Sequence, residues 1–177
     1  SRQESITPRR KLYELYMRQG KFEEAQMMIE EGIEISKYSE DKFNRIQLLI
    51  NFAVLKAKQG LFLIALEKFD EALNLAKDNR YLSLEAAVRN SMGSLFRRIG
   101  KVKLGINNYE KSLEILHKVR NVKFKSEVLN NLGSGYEDLG NLSKALELFK
   151  ESSDIAETIG VDLMLATTKG NMGRVYN

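Results

Sequence analysis

The sequence lacks the residues on which many catalytic and metal sites depend. Its 177 residues include no cysteine, no tryptophan, one proline and one histidine. Without cysteine the chain has no disulfides, no thiol nucleophile and no zinc–thiolate site. A lone histidine, His117, gives little basis for a metal site or a Ser-His-acid arrangement, and its position near a predicted helix end suits the helix dipole. We therefore expect no metal, no cofactor and no catalysis.

Long apolar runs and a strong charge of one sign are also missing. No stretch approaches the roughly 18 apolar residues of a membrane-spanning helix, and no signal peptide is visible. The net charge is only +4, from 28 basic and 24 acidic residues spread along the chain. The densest basic cluster (Arg97, Arg98, Lys101 and Lys103) carries no alternating aromatic residues for base stacking, so nucleic-acid binding is the disfavoured alternative. We expect a cytoplasmic protein with no membrane partner.

What the sequence does contain is an internal repeat with a constant period of 40 residues. A glycine, a small residue five positions later and a large residue four positions further on recur in step. These positions are Gly20, Ala25 and Ile29; Gly60, Ala65 and Phe69; Gly100, Gly105 and Tyr109; and Gly140, Ala145 and Phe149. Because apolar residues have helical spacing on both sides of each glycine, the pattern predicts helix pairs joined by tight turns.

The pattern predicts four helix pairs and the opening helix of a fifth. The repeats cover about residues 6–40, 41–80, 81–120 and 121–160, with a partial repeat at 161–177. Pro8 fits the first turn of the first helix, and Asp162 is expected to cap the last. No linker interrupts the pattern, so we expect residues 1–177 to form a single array. Because the chain starts at Ser1 and stops within a helix pattern, we expect it to be a piece of a longer protein.

The repeat unit resembles the tetratricopeptide repeat. The residues that carry the resemblance are Leu132, Gly133, Tyr136, Gly140, Ala145, Phe149 and Ser152. The family's early tryptophan and late proline are absent, and Lys56 replaces an aromatic residue. The 40-residue period is similar to the longer-helix branch that includes kinesin light chains, bacterial Rap-type regulators and MalT-like regulators. The resemblance implies an all-α, right-handed superhelical solenoid of antiparallel helix pairs, whose first helices line a groove for a peptide or partner helix.

The resemblance also implies which side chains of the first helices contact a partner. These are Ile50, Asn51, Val54, Asn90, Ser94, Arg97, Asn130, Asn131 and Asn171. A carboxamide both donates and accepts hydrogen bonds, so the asparagines are able to form a ladder that holds a peptide main chain. The alternative is that these asparagines only bond within or between helices.

Two apolar surfaces complete the candidate sites. Leu61, Leu63 and Ile64 of the second repeat are apolar where other copies are mainly polar, and we expect them to anchor a partner. Alternatively, the N-terminal residues or a second copy cover them.

The last helix lacks its mate. Its apolar residues Met172, Val175 and Tyr176 are therefore expected to support homo-oligomerisation.

Together these features predict a non-catalytic protein–protein interaction module. The alternative is a ligand-sensing regulatory array that controls an attached signalling enzyme or transcription-factor domain.

Overall fold

A computed structural model describes the backbone of residues 2–176 and the side chains of residues 8–176. All regular structure in this part of the chain is helical. The helices are α1 (Arg2–Arg18), α2 (Phe22–Ser36), α3 (Lys42–Lys58), α4 (Phe62–Asp78), α5 (Leu82–Arg98), α6 (Val102–Val119), α7 (Val122–Asp138), α8 (Leu142–Thr158) and α9 (Asp162–Tyr176). The prediction of an all-α fold built from helix pairs is confirmed.

The chain divides into two compact units, Ser1–Val88 and Arg89–Asn177, and the division falls within α5. In unit 1, α1 packs on α2, α2 on α3, and α3 on α4. In unit 2, α6 packs on α7, α7 on α8, and α8 on α9, while α7 also contacts α9. The prediction of one continuous array stays a prediction.

The turn glycines have the backbone conformation that their positions require. Gly20, Gly60, Gly100 and Gly140 have φ between 72° and 80°. A side chain is strained in this left-handed region, so glycine ends one helix and lets the chain reverse into the next.

Aromatic rings of the second helices fill the space beside glycines of the first helices in unit 2. A Cβ on Gly133 would lie 2.7 Å from the ring of Phe149, and one on Gly93 would lie 2.6 Å from the ring of Tyr109. Phe149 and Tyr109 are fully buried. In unit 2 the large residue of each of these repeats therefore packs directly against a glycine of the preceding helix.

Two local predictions were wrong. Pro8 lies inside α1 rather than in its first turn, because the helix begins at Arg2. Proline has no backbone N–H, so this turn lacks one helical hydrogen bond. Asp162 is the first residue of α9 rather than its cap.

Candidate functional site

Polar side chains of α5, α7 and α9 form a connected surface in unit 2. The asparagines, arginines and acids of each helix recur at spacings of three, four or seven residues, which places them on one side of the helix. We call this surface the polar face; it comprises Asn90, Ser94, Arg97, Asn130, Asn131, Glu137, Asp138, Asn171 and Arg174.

Asparagine pairs connect neighbouring first helices across the polar face. Asn131 Nδ2 donates to Asn90 Oδ1 at 3.0 Å, and Asn171 Nδ2 donates to Asn130 Oδ1 at 2.8 Å. Asn90 and Asn171 are buried, whereas Asn130 and Asn131 are partly exposed. Two interpretations of the asparagines followed from the sequence: a ladder that binds a peptide, or hydrogen bonds within or between helices. The contacts seen here are hydrogen bonds between helices. The partly exposed carboxamides keep hydrogen-bonding capacity beyond them.

Ion pairs hold the charged residues of the polar face. Arg97 Nε lies 2.7 Å from Asp138 Oδ2. Arg174 contacts Glu137 through Nη2 at 3.1 Å and donates from Nη1 to Asn171 Oδ1 at 2.8 Å. The four charged residues of the polar face are therefore paired within unit 2.

Ser94 of the polar face and the neighbouring Ser134 of α7 bond mainly within the protein. Ser94 Oγ lies 3.2 Å from the carbonyl of Asn90 and 3.0 Å from Tyr109 Oη. Ser134 Oγ donates to the carbonyl of Asn130 at 3.2 Å. Burial raises the pKa of Tyr109 above its usual value, and the hydrogen bond between Tyr109 and Ser94 opposes this rise. The tyrosine hydroxyl is therefore neutral and tied to α5.

An open cavity of about 310 Å³ lies between α7 and α9. Its lining residues are Lys123, Glu127, Asn130, Val161, Leu163, Met164, Thr167 and Thr168. Apolar atoms form most of the wall, and the carboxamide of Asn130 joins the cavity to the polar face. Partial burial raises the pKa of Glu127 above its usual value, and the charge of Lys123 opposes this rise. The cavity therefore combines an apolar floor with one acid, one base and one amide.

The predicted partner residues of unit 1 have a different environment. Ile50, Asn51 and Val54 are partly exposed on α3, and the carbonyl of Asn51 accepts a hydrogen bond from Tyr13 Oη at 3.4 Å. Burial and the charge of Glu14 raise the pKa of Tyr13 to about 12, so its hydroxyl remains a donor.

Leu61, Leu63 and Ile64, here called the second-repeat patch, are exposed at the start of α4, and 84% of Leu63 is accessible to solvent. The patch is thus uncovered by the described residues, and its role as a partner anchor stays a prediction.

The residues predicted for self-association lie in the last two turns of α9. Met172 and Val175 are partly exposed, and Tyr176 is exposed. Association through these residues stays a prediction.

Sequence reasoning missed the α7–α9 cavity, although a signal for it exists. Lys123 and Glu127 precede Asn130 by seven and three residues, and Leu163 and Thr167 precede Asn171 by eight and four. These spacings place each set on the same side of its helix as the predicted asparagine. Extending the asparagine positions toward the start of each helix would have identified the cavity walls.

Neither metal ligands nor a membrane span emerge from the described residues. No group of three or more His, Cys, Asp or Glu side chains among them could hold a metal ion. None of the described helices has the length and apolarity needed to cross a membrane. The expectation of no catalysis stays a prediction.

Comparison with known families identifies the repeat. Residues 84–158 match the family model described as tetratricopeptide repeat. No curated protein sequence matches the chain significantly. The resemblance to the tetratricopeptide repeat that the sequence predicts is therefore confirmed.

Solved structures extend this fold to nearly the whole chain. BtubC (BKLC) from P. vanneervenii matches with a TM-score of 0.79 at 20% identity, over 99% of this chain and 80% of its own. The apo form of RapI matches with a TM-score of 0.87 at 18% identity, over 98% of this chain and 64% of its own. A Rap protein complexed with Competence and Sporulation Factor matches with a TM-score of 0.81 at 14% identity, over 93% of this chain and 46% of its own. This chain thus spans less than two thirds of these Rap chains, and the likeness establishes the fold.

Proposed function

We propose that this chain is a non-catalytic protein–protein interaction module and that its polar face holds a peptide or partner helix. The observation that carries the proposal is the α7–α9 cavity, where an apolar floor adjoins the partly exposed carboxamide of Asn130. Peptide recognition needs both features, because the main chain requires hydrogen-bond partners while an apolar side chain supplies affinity by leaving water.

The arrangement supports a division of roles within the site. Asn130 and Asn131 present amide groups to a main chain, while Leu163 and Met164 receive one apolar side chain. Asn90 and Asn171 position these two asparagines from the neighbouring helices. Preorganised groups of this kind lower the entropy cost of binding a flexible peptide.

The structural neighbours support the proposal at the level of the fold. One neighbour is a Rap protein complexed with Competence and Sporulation Factor. A chain of the same fold therefore accommodates another molecule, although the low identity transfers no residue roles to this protein.

Peptide display tests the proposal directly. A random 12-residue peptide library is selected on the immobilised chain, and the Kd of enriched peptides is measured by fluorescence anisotropy. Asn130→Ala removes the amide, and Thr167→Trp fills the cavity from α9. We expect each change to weaken binding at least tenfold, equivalent to about 1.4 kcal/mol.

The matched control is Asn107→Ala, which changes an exposed asparagine on α6 and should alter the Kd less than twofold. Circular dichroism checks that all variants remain helical. The proposal is wrong if the library yields no enriched peptide, or if enriched peptides bind both site variants as tightly as the original chain.

The second candidate function is a ligand-sensing array that controls an attached signalling enzyme or transcription-factor domain. The greater length of the Rap chains favours considering it, since this chain covers 64% of one and 46% of another. Small-angle X-ray scattering with and without an enriched peptide separates the two functions. A change in radius of gyration on binding favours a sensor, whereas an unchanged radius favours simple capture.

A further inference from the structure

A second surface of unit 2 lies at the turn between α5 and α6, apart from the α7–α9 cavity. An open groove of about 410 Å³ is lined there by Gly100, Lys101, Val102, Lys103, Leu104 and Leu139. The first five residues form the turn and the start of α6, and Leu139 follows the end of α7. We call this region the basic turn surface and include the adjacent Arg98 in it.

The floor of the basic turn surface is aliphatic and open to solvent. Leu104 is 49% exposed and Leu139 is 45% exposed, although both contribute to the same groove. Two neighbouring leucines in a concave surface offer a site where an apolar side chain leaves water on binding.

The rim of this surface is positively charged and uncompensated. Arg98, Lys101 and Lys103 are exposed, and none forms an ion pair with a described residue. The first turn of α6 contains no acidic residue. Asp138, the last residue of α7, is already paired with Arg97 at 2.7 Å. The positive charge of the rim is thus available to a partner.

We propose that the basic turn surface binds an acidic amphipathic segment of a partner protein. Leucine-like side chains of that segment occupy the groove over Leu104 and Leu139, and its carboxylates face Arg98, Lys101 and Lys103. The positive rim favours a partner segment that carries negative charge. The aliphatic floor favours a protein segment, because it accepts an apolar side chain. Nucleic acid would need rings for base stacking, and the groove lining contains none.

The equivalent turn of the next repeat, between α7 and α8, provides a reference within the same unit. Asn141 and Ser143 are the equivalents of Lys101 and Lys103, forty residues later. Asn141 caps α8 by accepting a hydrogen bond from the backbone N–H of Lys144 at 3.2 Å, whereas Lys101 provides no side-chain cap to α6. Lysine is therefore not required by the turn itself, and grafting the later residues onto the earlier turn should preserve the fold.

The test uses the full chain and three labelled probes. The first is a 16-residue peptide with leucines at helical spacing and Asp or Glu elsewhere. The second has the same composition in scrambled order, and the third is a 16-nucleotide single-stranded RNA. Fluorescence anisotropy at 50 mM and 300 mM salt gives the Kd for each probe.

We expect the patterned peptide to bind at least tenfold more tightly than the scrambled peptide, with weaker binding at the higher salt concentration. The graft Lys101→Asn with Lys103→Ser should weaken patterned binding at least fivefold, and so should Leu104→Ser. The control Lys111→Asn with Lys118→Ser removes two exposed lysines elsewhere on α6 and should change the Kd less than twofold.

Three results would overturn the proposal. Equal binding of the patterned and scrambled peptides would show charge attraction without a docking site. Tighter binding of the RNA, lost in the graft, would assign the surface to nucleic acid. Unchanged peptide binding in both the graft and Leu104→Ser, with helicity confirmed by circular dichroism, would place the site elsewhere.

Discussion

The second repeat, α3 and α4 in unit 1, and the fourth repeat, α7 and α8 in unit 2, can be compared position by position because equivalent residues differ in number by 80. Ala65 and Ala145 are fully inaccessible, and Phe69 and Phe149 are buried. The same equivalence extends to two ion pairs between the paired helices, Arg45 with Glu71 at 2.8 Å and Lys125 with Glu151 at 2.7 Å. The interior of a helix pair is thus built in the same way in both units.

The surfaces of these two repeats differ. At the start of the second helix, the exposed Leu63 corresponds to the polar Ser143. On the first helix, Ile50 corresponds to Asn130, which bonds to Asn171. Positions that do not pack within the repeat are free to vary, and they carry the chemistry that distinguishes the units.

One buried position also differs, and it shows how the scaffold tolerates a charge. Lys56 is only 7% exposed; its Nζ lies 5.0 Å from the ring centroid of Phe52 and 3.7 Å from Glu30 Oε1. Its equivalent, Tyr136, donates a hydrogen bond to Glu110 Oε1 at 3.2 Å. Each side chain reaches an acid 26 residues earlier in the chain, so lysine and tyrosine satisfy the same geometric requirement.

The largest expected effect comes from removing the equivalent aromatic rings. Phe69→Ala and Phe149→Ala should each lower the free energy of unfolding by about 3–5 kcal/mol, because each leaves a cavity in a tightly packed interior. Urea unfolding followed by circular dichroism measures both. A loss below about 1 kcal/mol in either variant would contradict the equivalence of the two interiors.

Exchanging the buried Lys56 and the half-buried Tyr136 should change stability in opposite directions. Lys56→Tyr removes a buried charge and should raise the free energy of unfolding by about 1 kcal/mol. Tyr136→Lys should lower it by a similar amount or more, since it introduces the desolvation cost. Thermal and urea unfolding test the pair. A less stable Lys56→Tyr variant would show that the contacts of the lysine outweigh its desolvation.

The second-repeat patch should affect binding rather than folding. Leu63→Ser with Ile64→Ser changes exposed side chains, so the free energy of unfolding should shift by less than about 0.5 kcal/mol per residue. Peptides that use this patch, selected from the library on the original chain, should bind at least fivefold more weakly. If every selected peptide binds the variant as tightly as the original chain, the second-repeat patch does not anchor a partner.

Self-association through α9 should be weak and dependent on concentration. Tyr176→Ser with Met172→Ser should lower the average molar mass measured by light scattering at high protein concentration. If the original chain is already monomeric throughout the concentration range, the predicted contact is wrong.

The smallest expected effect is on the pH dependence of stability. It is tested with two glutamates whose pKa values shift in opposite directions. Partial burial raises the pKa of Glu71, but hydrogen bonds from Arg45 and Lys68 outweigh this and leave it below its usual value. Partial burial raises the pKa of Glu127, with Lys123 opposing. A lowered pKa stabilises the fold above the unfolded pKa, whereas a raised pKa for an acid destabilises it there.

At pH 7, Glu71→Gln should therefore be less stable than the original chain, and Glu127→Gln slightly more stable. Both differences should shrink as the pH falls toward 3, since the carboxyl groups become protonated in both folded and unfolded chains. Urea midpoints measured across this range provide the check. Differences of the same sign at pH 7 would contradict the opposite pKa shifts.

The sequence predicted the turns within the helix pairs, because turn glycines act locally. Capping residues also act locally, and Asp41 caps α3 by accepting a hydrogen bond from the N–H of Asn44. Pro8 was misplaced because the pattern before it is polar and gave no helix signal. Arg120 has φ 53°, a left-handed conformation that the presence of an arginine does not predict.

For the candidate site, the sequence predicted which residues take part but not how they pair. The asparagine positions followed from the family resemblance, but the pairing of Asn131 with Asn90 and of Asn130 with Asn171 did not. Each pair joins residues 41 positions apart, and its formation depends on side-chain rotamers and on the distance between helices. A hydrogen bond requires placement to within a few tenths of an ångström, which sequence spacing does not provide.

By itself, the sequence determined that this protein is a series of helix pairs with a 40-residue repeat, because helical periodicity and left-handed glycine turns depend on residues close together in the chain. The tertiary structure decided which polar groups bond across helices, where the apolar cavity opens and which charges remain uncompensated. Those properties arise between side chains distant in sequence, where small displacements determine whether two atoms bond or leave space for a partner.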